Sequence, residues 1–347
     1  MIRFPKPLEP GDLIAVTAPS SGVTPAEMPR LELVLSDLRA RGYRVVEGDC
    51  LRGEHRDASA PRDQRAHELM QFLTDPRVAA ILPPWGGELA IELLTFIDFA
   101  GLRSLPPKWF LGYSDLSTLQ LPLTLISGWA TAHGPNLMDL APSQTDPLTT
   151  SALRILGSDL SSPIVQHAST RYQMEWNDFR VCTDAPFNLT EPTVWRRLDG
   201  SAARAGFSGR LIGGCLDTIL HLAGSPYGDV PRFVRESGPV GAILYLENAG
   251  MGPAALVRAL WGLRLNGWFD GLSGLMFGRS SGPEPRDADR LTYEDALQAV
   301  LADLPYPVLF DVDIGHRPPQ FTLINGAFAR VVFENGSGRI AQTKEAD

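Results

Sequence analysis

An α/β fold with two sheet-containing parts is what this 347-residue sequence predicts. Three observations carry that reading. Apolar runs and helix-patterned runs alternate through the first 140 residues or so, mixed strand and helix patterns return after residue 208, and a Pro-, Ser- and Thr-rich stretch separates the two. Alternation of the first kind points to a parallel sheet with helices on both faces. A chain of this length is expected to make one large or two medium domains. The boundaries read as 1–140 for an N-terminal α/β domain, 141–207 for a connecting or cover segment, and 208–347 for a C-terminal domain.

The elements follow in order. "DLIAVTAPSS" is a buried strand closed by a turn at Pro19 to Ser21. "MPRLELVLSDLRARGYRVV" has apolar residues at helical spacing, stops near Gly42, and continues into a strand at Tyr43 to Val46. "PRDQRAHELMQFLTDP" is a second helix, "VAAILPPW" a strand, "GGE" a turn, "LAIELLTFIDFAGL" a third helix and "KWFLGYS" a strand. The segment after residue 140 is polar but punctuated by Trp176, Phe179, Phe187 and Trp195, which marks an ordered cover and not a disordered linker. Beyond it, "GAILYLEN" is a strong strand, "PAALVRALWGLRLNGW" a helix, "GLSGLMFGRS" a strand and "YEDALQAVLADL" a helix. The tail from "PVLFDVDIGH" to "ARVVFENGSGRIAQ" predicts several more strands.

Composition narrows the function classes. With 44% apolar and 20% charged residues the chain has the balance of a soluble globular protein. No apolar run near the N-terminus has the length of a secretory core or a membrane span. A formal net charge of −9 argues against nucleic acid as a partner, because phosphate neutralisation needs a basic surface. Cys50, Cys182 and Cys215 are widely spaced and form neither a disulfide framework nor a CxxC pair, which fits a reducing cytoplasmic setting. No HExxH, Walker A or GxGxxG pattern is present, so neither a metal nor a nucleotide cofactor is expected.

Ser114, in "FLGYSDLSTL", falls where a buried strand meets a helix pattern. A Ser there serves either as a helix N-cap or as an exposed nucleophile at the end of a sheet. The nucleophile-elbow pattern G-x-S-x-G is half met, since Gly112 is present and Leu116 holds the second Gly position. Gly86 and Gly87 follow the preceding strand, so their amides would sit beside Ser114 and suit an oxyanion hole. Glu247 ends the apolar run "GAILYLE", where a carboxylate needs a partner. His316, in "DVDIGHRPPQ", follows another strand, with Asp311 and Asp313 as possible partners and His133 as a rival base. A nucleophile needs a base and the base an orienting acid, in any chain order, and Ser114, His316 and Glu247 supply those roles.

The stretches "PPWGGELA", "FLGYSDLSTL", "HGPNLMDL", "GRLIGGCLDTI", "LYLEN" and "DVDIGH" together resemble the LD-carboxypeptidase and microcin-immunity serine peptidases, over nearly the whole chain. The resemblance implies a flavodoxin-like N-terminal domain, a smaller β-rich C-terminal domain, a homodimer and no metal. It also implies Ser114, Glu247 and His316 as the catalytic residues, with the oxyanion hole formed by the amides of Asp115 and Gly87. One branch of the family trims a D-residue from peptidoglycan tetrapeptide, and the other cleaves peptidyl-nucleotide antibiotics. Trp195, and after it Trp176, are the expected aromatic contacts to a nucleobase. The expected substrate is a peptidyl nucleotide, with the tetrapeptide as alternative. A non-catalytic small-molecule binder using the same strand-end cleft is the reading from another class, and an α/β-hydrolase esterase would have the missing second Gly.

Overall fold

The computed structural model describes residues 2–287 and 289–346. Its first sheet is built from β1 (Leu13–Val16), β2 (Arg44–Glu47), β3 (Val78–Ile81), β4 (Trp109–Gly112) and β5 (Thr131–His133). These five are parallel and lie in the order 2-1-3-4-5. That is the flavodoxin-like order, which places ligands at the carboxyl ends of the strands near the β1/β3 reversal. The loops after β1, β3 and β4 therefore converge on one end of the sheet.

The cover segment contributes β6 (Ile164–His167), a two-stranded ribbon of β7 (Arg171–Gln173) and β8 (Leu189–Pro192), and β9 (Arg196–Arg197). Then follow β10 (Ala205–Cys215), β11 (Ala242–Glu247), β12 (Gly274–Gly278) and β13 (Val308–Val312), which are parallel. After β14 (Leu323–Asn325) come β15 (Phe328–Glu334) and β16 (Ser337–Thr343). The second sheet runs β6-β16-β15-β10-β11-β12-β13-β9, parallel at its centre and antiparallel at its margins. All residues of β11 and β12 are buried, as central parallel strands covered on both faces require.

β6 and β9 from the cover segment widen the second sheet to eight strands, against six in the first. One expectation is corrected here. The run at 89–102 is not one helix but a 3-10 turn, Ala90–Leu93, and a short helix, Phe99–Leu102. Asp98 restarts the chain by accepting from the Gly101 amide, and the Ala90 amide is taken by the Asp115 carboxylate.

The two sheets are sewn together at two places. β14 leaves the C-terminal region and pairs antiparallel with β5. The helix Ser117–Leu125, which starts just past Ser114, is buried on every side. Its polar side chains are hydrogen-bonded, Gln120 to the Gly112 and Ala132 carbonyls, and Leu119 and Leu123 share one cluster with Ile212, Leu216 and Ile219 of the second sheet and its helix. At the seam Ser117 Oγ accepts from the Cys215 amide at 3.0 Å. Among the described residues, no helix is long and apolar enough to cross a membrane.

Candidate active site

Ser114 is not a helix cap. It sits at φ +64°, in the left-handed region that costs a residue with a side chain roughly 1–3 kcal/mol. The surroundings hold it there. The Tyr113 amide donates to Asn136 Oδ1 at 3.1 Å. The Asp115 carboxylate accepts from Ser20 Oγ at 2.6 Å, the Ala90 amide at 2.7 Å and Thr118 Oγ1 at 3.2 Å. One buried acid thus ties the loops after β1 and β3 to the turn after β4. Gly86 is required by close approach: a β-carbon there would lie 2.5 Å from Ser114 Cβ and 3.0 Å from the Asp115 amide.

The base arrives from the other sheet. His316 follows β13, and Glu247 is the last residue of β11, fully buried. His316 Nδ1 lies 2.8 Å from Glu247 Oε2, and Nε2 lies 3.0 Å from Ser114 Oγ. A carboxylate only accepts, so Nδ1 carries the proton and Nε2 is left to accept from the Ser114 hydroxyl. Burial alone would raise the Glu247 carboxyl, but the charge and hydrogen bond of His316 outweigh it and hold the acid below its usual value. Burial would lower His316, and the charge and hydrogen bond of Glu247 outweigh that too, so the imidazole lies above its usual value. Gly315, at φ +93°, lets the loop pass: a β-carbon there would strike Glu247.

This coupling sets a pH expectation. His316 works as a base only when neutral, so activity should fall as pH drops through an ionisation above the ordinary imidazole value of about 6.5. In Glu247→Gln the support of the anion is gone, and that limb should move to lower pH. Rate profiles on an activated ester would read it, and an unmoved limb would contradict the Glu247–His316 coupling.

The two aspartates open as partners of His316 serve elsewhere. Asp311 pairs with Arg196 at 2.9 Å. Asp313 is fully buried and pairs with Arg279 at 2.9 Å. Arg279 also donates to the Arg317 carbonyl at 2.8 Å and the Pro319 carbonyl at 2.7 Å, so it clamps the loop that presents His316. Trp195 belongs to this network and not to the cleft. Its indole N–H donates to Asp313 at 2.8 Å, its ring packs against Phe321, and it is 1% exposed. The expectation that Trp195 offers a face to substrate is therefore wrong: the ring is enclosed in the second core.

Trp176 does reach the cleft. It lies edge-on to Phe179 and Phe187, while Phe179 stacks on Trp85 at 6.4 Å. Trp85, Trp176 and Phe179 wall a cleft of about 270 Å³ whose floor includes Ser114, His316 and Gly87. Arg30 fastens this wall, donating to the carbonyls of Met138 and Thr183 at 2.8 Å each and lying 3.6 Å over the Phe179 ring. His133 is set aside as a base. It is fully buried, does not line the cleft, and burial pushes it down to about 4.

Cys215, Glu247 and His316 bring potential metal ligands within 4.8 Å of one another. Burial raises the Cys215 thiol well above its usual value, and Glu247 and His316 are engaged with each other and with Ser114. Tyr113, read with Ser114 at the strand end, packs edge-on against His316. Sequence reasoning missed Trp85 and Asp139, which line the cleft, and Arg279; only Trp85 had a local signal, its place beside the Gly86–Gly87 turn.

A strained Ser between two sheets, in line with an imidazole and a buried carboxylate, is the arrangement of a serine hydrolase. Comparison with known proteins places the chain further. The LD-carboxypeptidase N-terminal domain matches residues 14–134 and the LD-carboxypeptidase C-terminal domain residues 208–331. The chain belongs to the LD-carboxypeptidase family, a family of serine peptidases. It is 26% identical to the microcin C7 self-immunity protein MccF of Escherichia coli, over 95% of this chain and 93% of that one. It is also 26% identical to a murein tetrapeptide carboxypeptidase of Pseudomonas aeruginosa, over 72% and 70%. A structure of MccF in complex with glutamyl sulfamoyl guanosine superposes with a TM-score of 0.82 at 25% identity, covering 98% of each chain.

Proposed function

We propose that the chain is an amide hydrolase in which Ser114 is the nucleophile, His316 the general base and acid, and Glu247 the group that orients His316. Ser114 Oγ attacks the acyl carbonyl while His316 takes its proton. The amides of Asp115 and Gly87 face the developing oxyanion, the C–N bond breaks, and His316 returns the proton to the leaving nitrogen. Water, deprotonated by His316, then attacks the acyl-serine carbonyl; the C–O bond to Ser114 breaks, His316 returns the proton to Ser114 Oγ, and a carboxylate is released. The observation that carries this reading is the line Glu247–His316–Ser114, at 2.8 and 3.0 Å, opening into a cleft.

We infer further that the substrate is a peptidyl nucleotide. The aromatic wall supports this, since Trp176 is 44% exposed and lines the cleft with ring surface available for stacking. The likeness to MccF, whose structure holds glutamyl sulfamoyl guanosine, supports it as well. A specific observation favours the second reading, cleavage of a peptidoglycan tetrapeptide. The loop after Glu247, "NAGMGP", offers no cation for a phosphate.

Mass spectrometry of products from a panel of peptidyl adenylates and muropeptides decides between them. Stacking on a base is worth about 1–3 kcal/mol, so Trp176→Ala should reduce kcat/KM for a peptidyl adenylate roughly 5- to 150-fold. A tetrapeptide has no base, and its turnover should change little. Equal losses on both substrates would remove the nucleotide reading.

A further inference from the structure

Asp139 lies in the cleft, and the proposed mechanism gives it no task. It closes the 3-10 turn Leu137–Asp139 just beyond β5, is 3% exposed, and lines the same cavity as Ser114 and His316. Its Oδ2 accepts from the Asn136 amide at 2.9 Å, completing a capping box. Among the described residues, no donor reaches Oδ1 and no Arg, Lys or His pairs with the carboxylate. The cation beside it is Arg30, whose Nε and Nη1 donate to the carbonyls of Met138, Thr183 and Ala185 and whose plane lies over the Phe179 ring; its Nη2 is buried without a hydrogen-bond partner and makes no ion pair with Asp139.

A carboxylate buried without a direct ion pair is costly. Burial raises Asp139 to about 6, against the pull of the Asn136 amide, of Arg30 and of His316. The capping box explains one oxygen. At the N3 position of a capping box the amide oxygen of an Asn could accept the same bond without leaving an anion in the wall of the cavity. The remaining oxygen belongs to a group that lines the same cavity as the nucleophile, and it is free to receive a positive group carried by the acyl half of a substrate.

We propose that Asp139 is the receptor for an ammonium group on the acyl part of the substrate, so that the site selects acyl groups bearing a free amine. This rests on the reading of Ser114 as the nucleophile only in taking the cleft as the substrate site. The amine has two possible sources. In a nucleotide carrying a single amino acid it is the α-ammonium, which a longer peptidyl chain would acylate, and in a peptide it is the side-chain ammonium of a diamino acid before the scissile bond. Both present the same chemistry, a charge-assisted hydrogen bond from N–H to a carboxylate.

The test uses binding, so that it does not depend on turnover. In the Ser114→Ala protein, calorimetry would measure glutamyl sulfamoyl guanosine against its N-acetyl derivative. A second pair is a tetrapeptide with lysine at its third position and D-alanine at its end, against its Nε-acetyl form. The free amine should bind at least tenfold more tightly in one pair, and that pair identifies the source. Adding Asp139→Asn, which keeps the capping oxygen, should abolish the preference and leave the acetylated ligand within about twofold. A preference unchanged by Asp139→Asn, an equal loss for both members of a pair, or no preference or binding in either pair overturns the proposal. Hydrolysis of the preferred ligand by the Ser114→Ala protein would instead overturn the nucleophile reading and leave Asp139 standing.

Discussion

Ser114→Ala is expected to lower kcat by roughly 10³-fold or more while leaving substrate affinity nearly intact, because members of a nucleophile–base–acid set act as a unit. The hydroxyl is the only group removed, and the Asp115 anchors that fix the turn are untouched. Ser114→Gly should lose activity to a similar degree yet be at least as stable as wild type, since glycine takes φ +64° without the penalty. A wild-type rate in purified Ser114→Ala would end the nucleophile assignment. A Ser114→Gly protein clearly less stable than wild type would show that the strain argument is misplaced.

The second large effect is on the clamp behind His316. Arg279→Ala leaves Asp313, which is fully buried, without its cation. Breaking a buried pair from one side typically costs about 3–5 kcal/mol. Denaturant unfolding should show a loss of that size. At a temperature where the variant stays folded, kcat should fall more than KM changes, because the Arg317 and Pro319 carbonyls no longer fix the His316 loop. Arg279→Lys, which retains the charge and loses the fork, should fall between the two in both readouts. Unfolding within about 1 kcal/mol of wild type would mean that the pair is solvated or dispensable.

What the sequence made legible was local. Strand and helix periods along the first 140 residues are set by near-neighbour spacing, and β1 to β4 lie where the apolar runs put them. Ser114, Glu247 and His316 stood out because each is a polar group at the end of an apolar strand, and the structure brings their side chains together. The features that stayed hidden depend on distant partners. Nothing near Leu323–Asn325 says that it pairs with β5, nearly two hundred positions earlier. Trp195 and Trp176 look alike in a polar segment. One is sealed inside by the Asp313 carboxylate and the other is left at the cleft, and only the packing of the second sheet separates them. Arg279 and Asp139 failed to show for the same reason, since the worth of a buried charge lies in what faces it.

Covalent labelling tests the central assignment most directly. A fluorophosphonate probe accepts an activated serine at phosphorus and expels fluoride, so the adduct marks the nucleophile itself. Wild-type protein, Ser114→Ala and His316→Ala would be treated in parallel, followed by intact-mass measurement and peptide mapping. The expected result is a single adduct on the peptide containing Ser114, absent from Ser114→Ala and formed far more slowly in His316→Ala. Labelling that persists in Ser114→Ala, or a wild-type protein that reacts at another residue and spares Ser114, would contradict it.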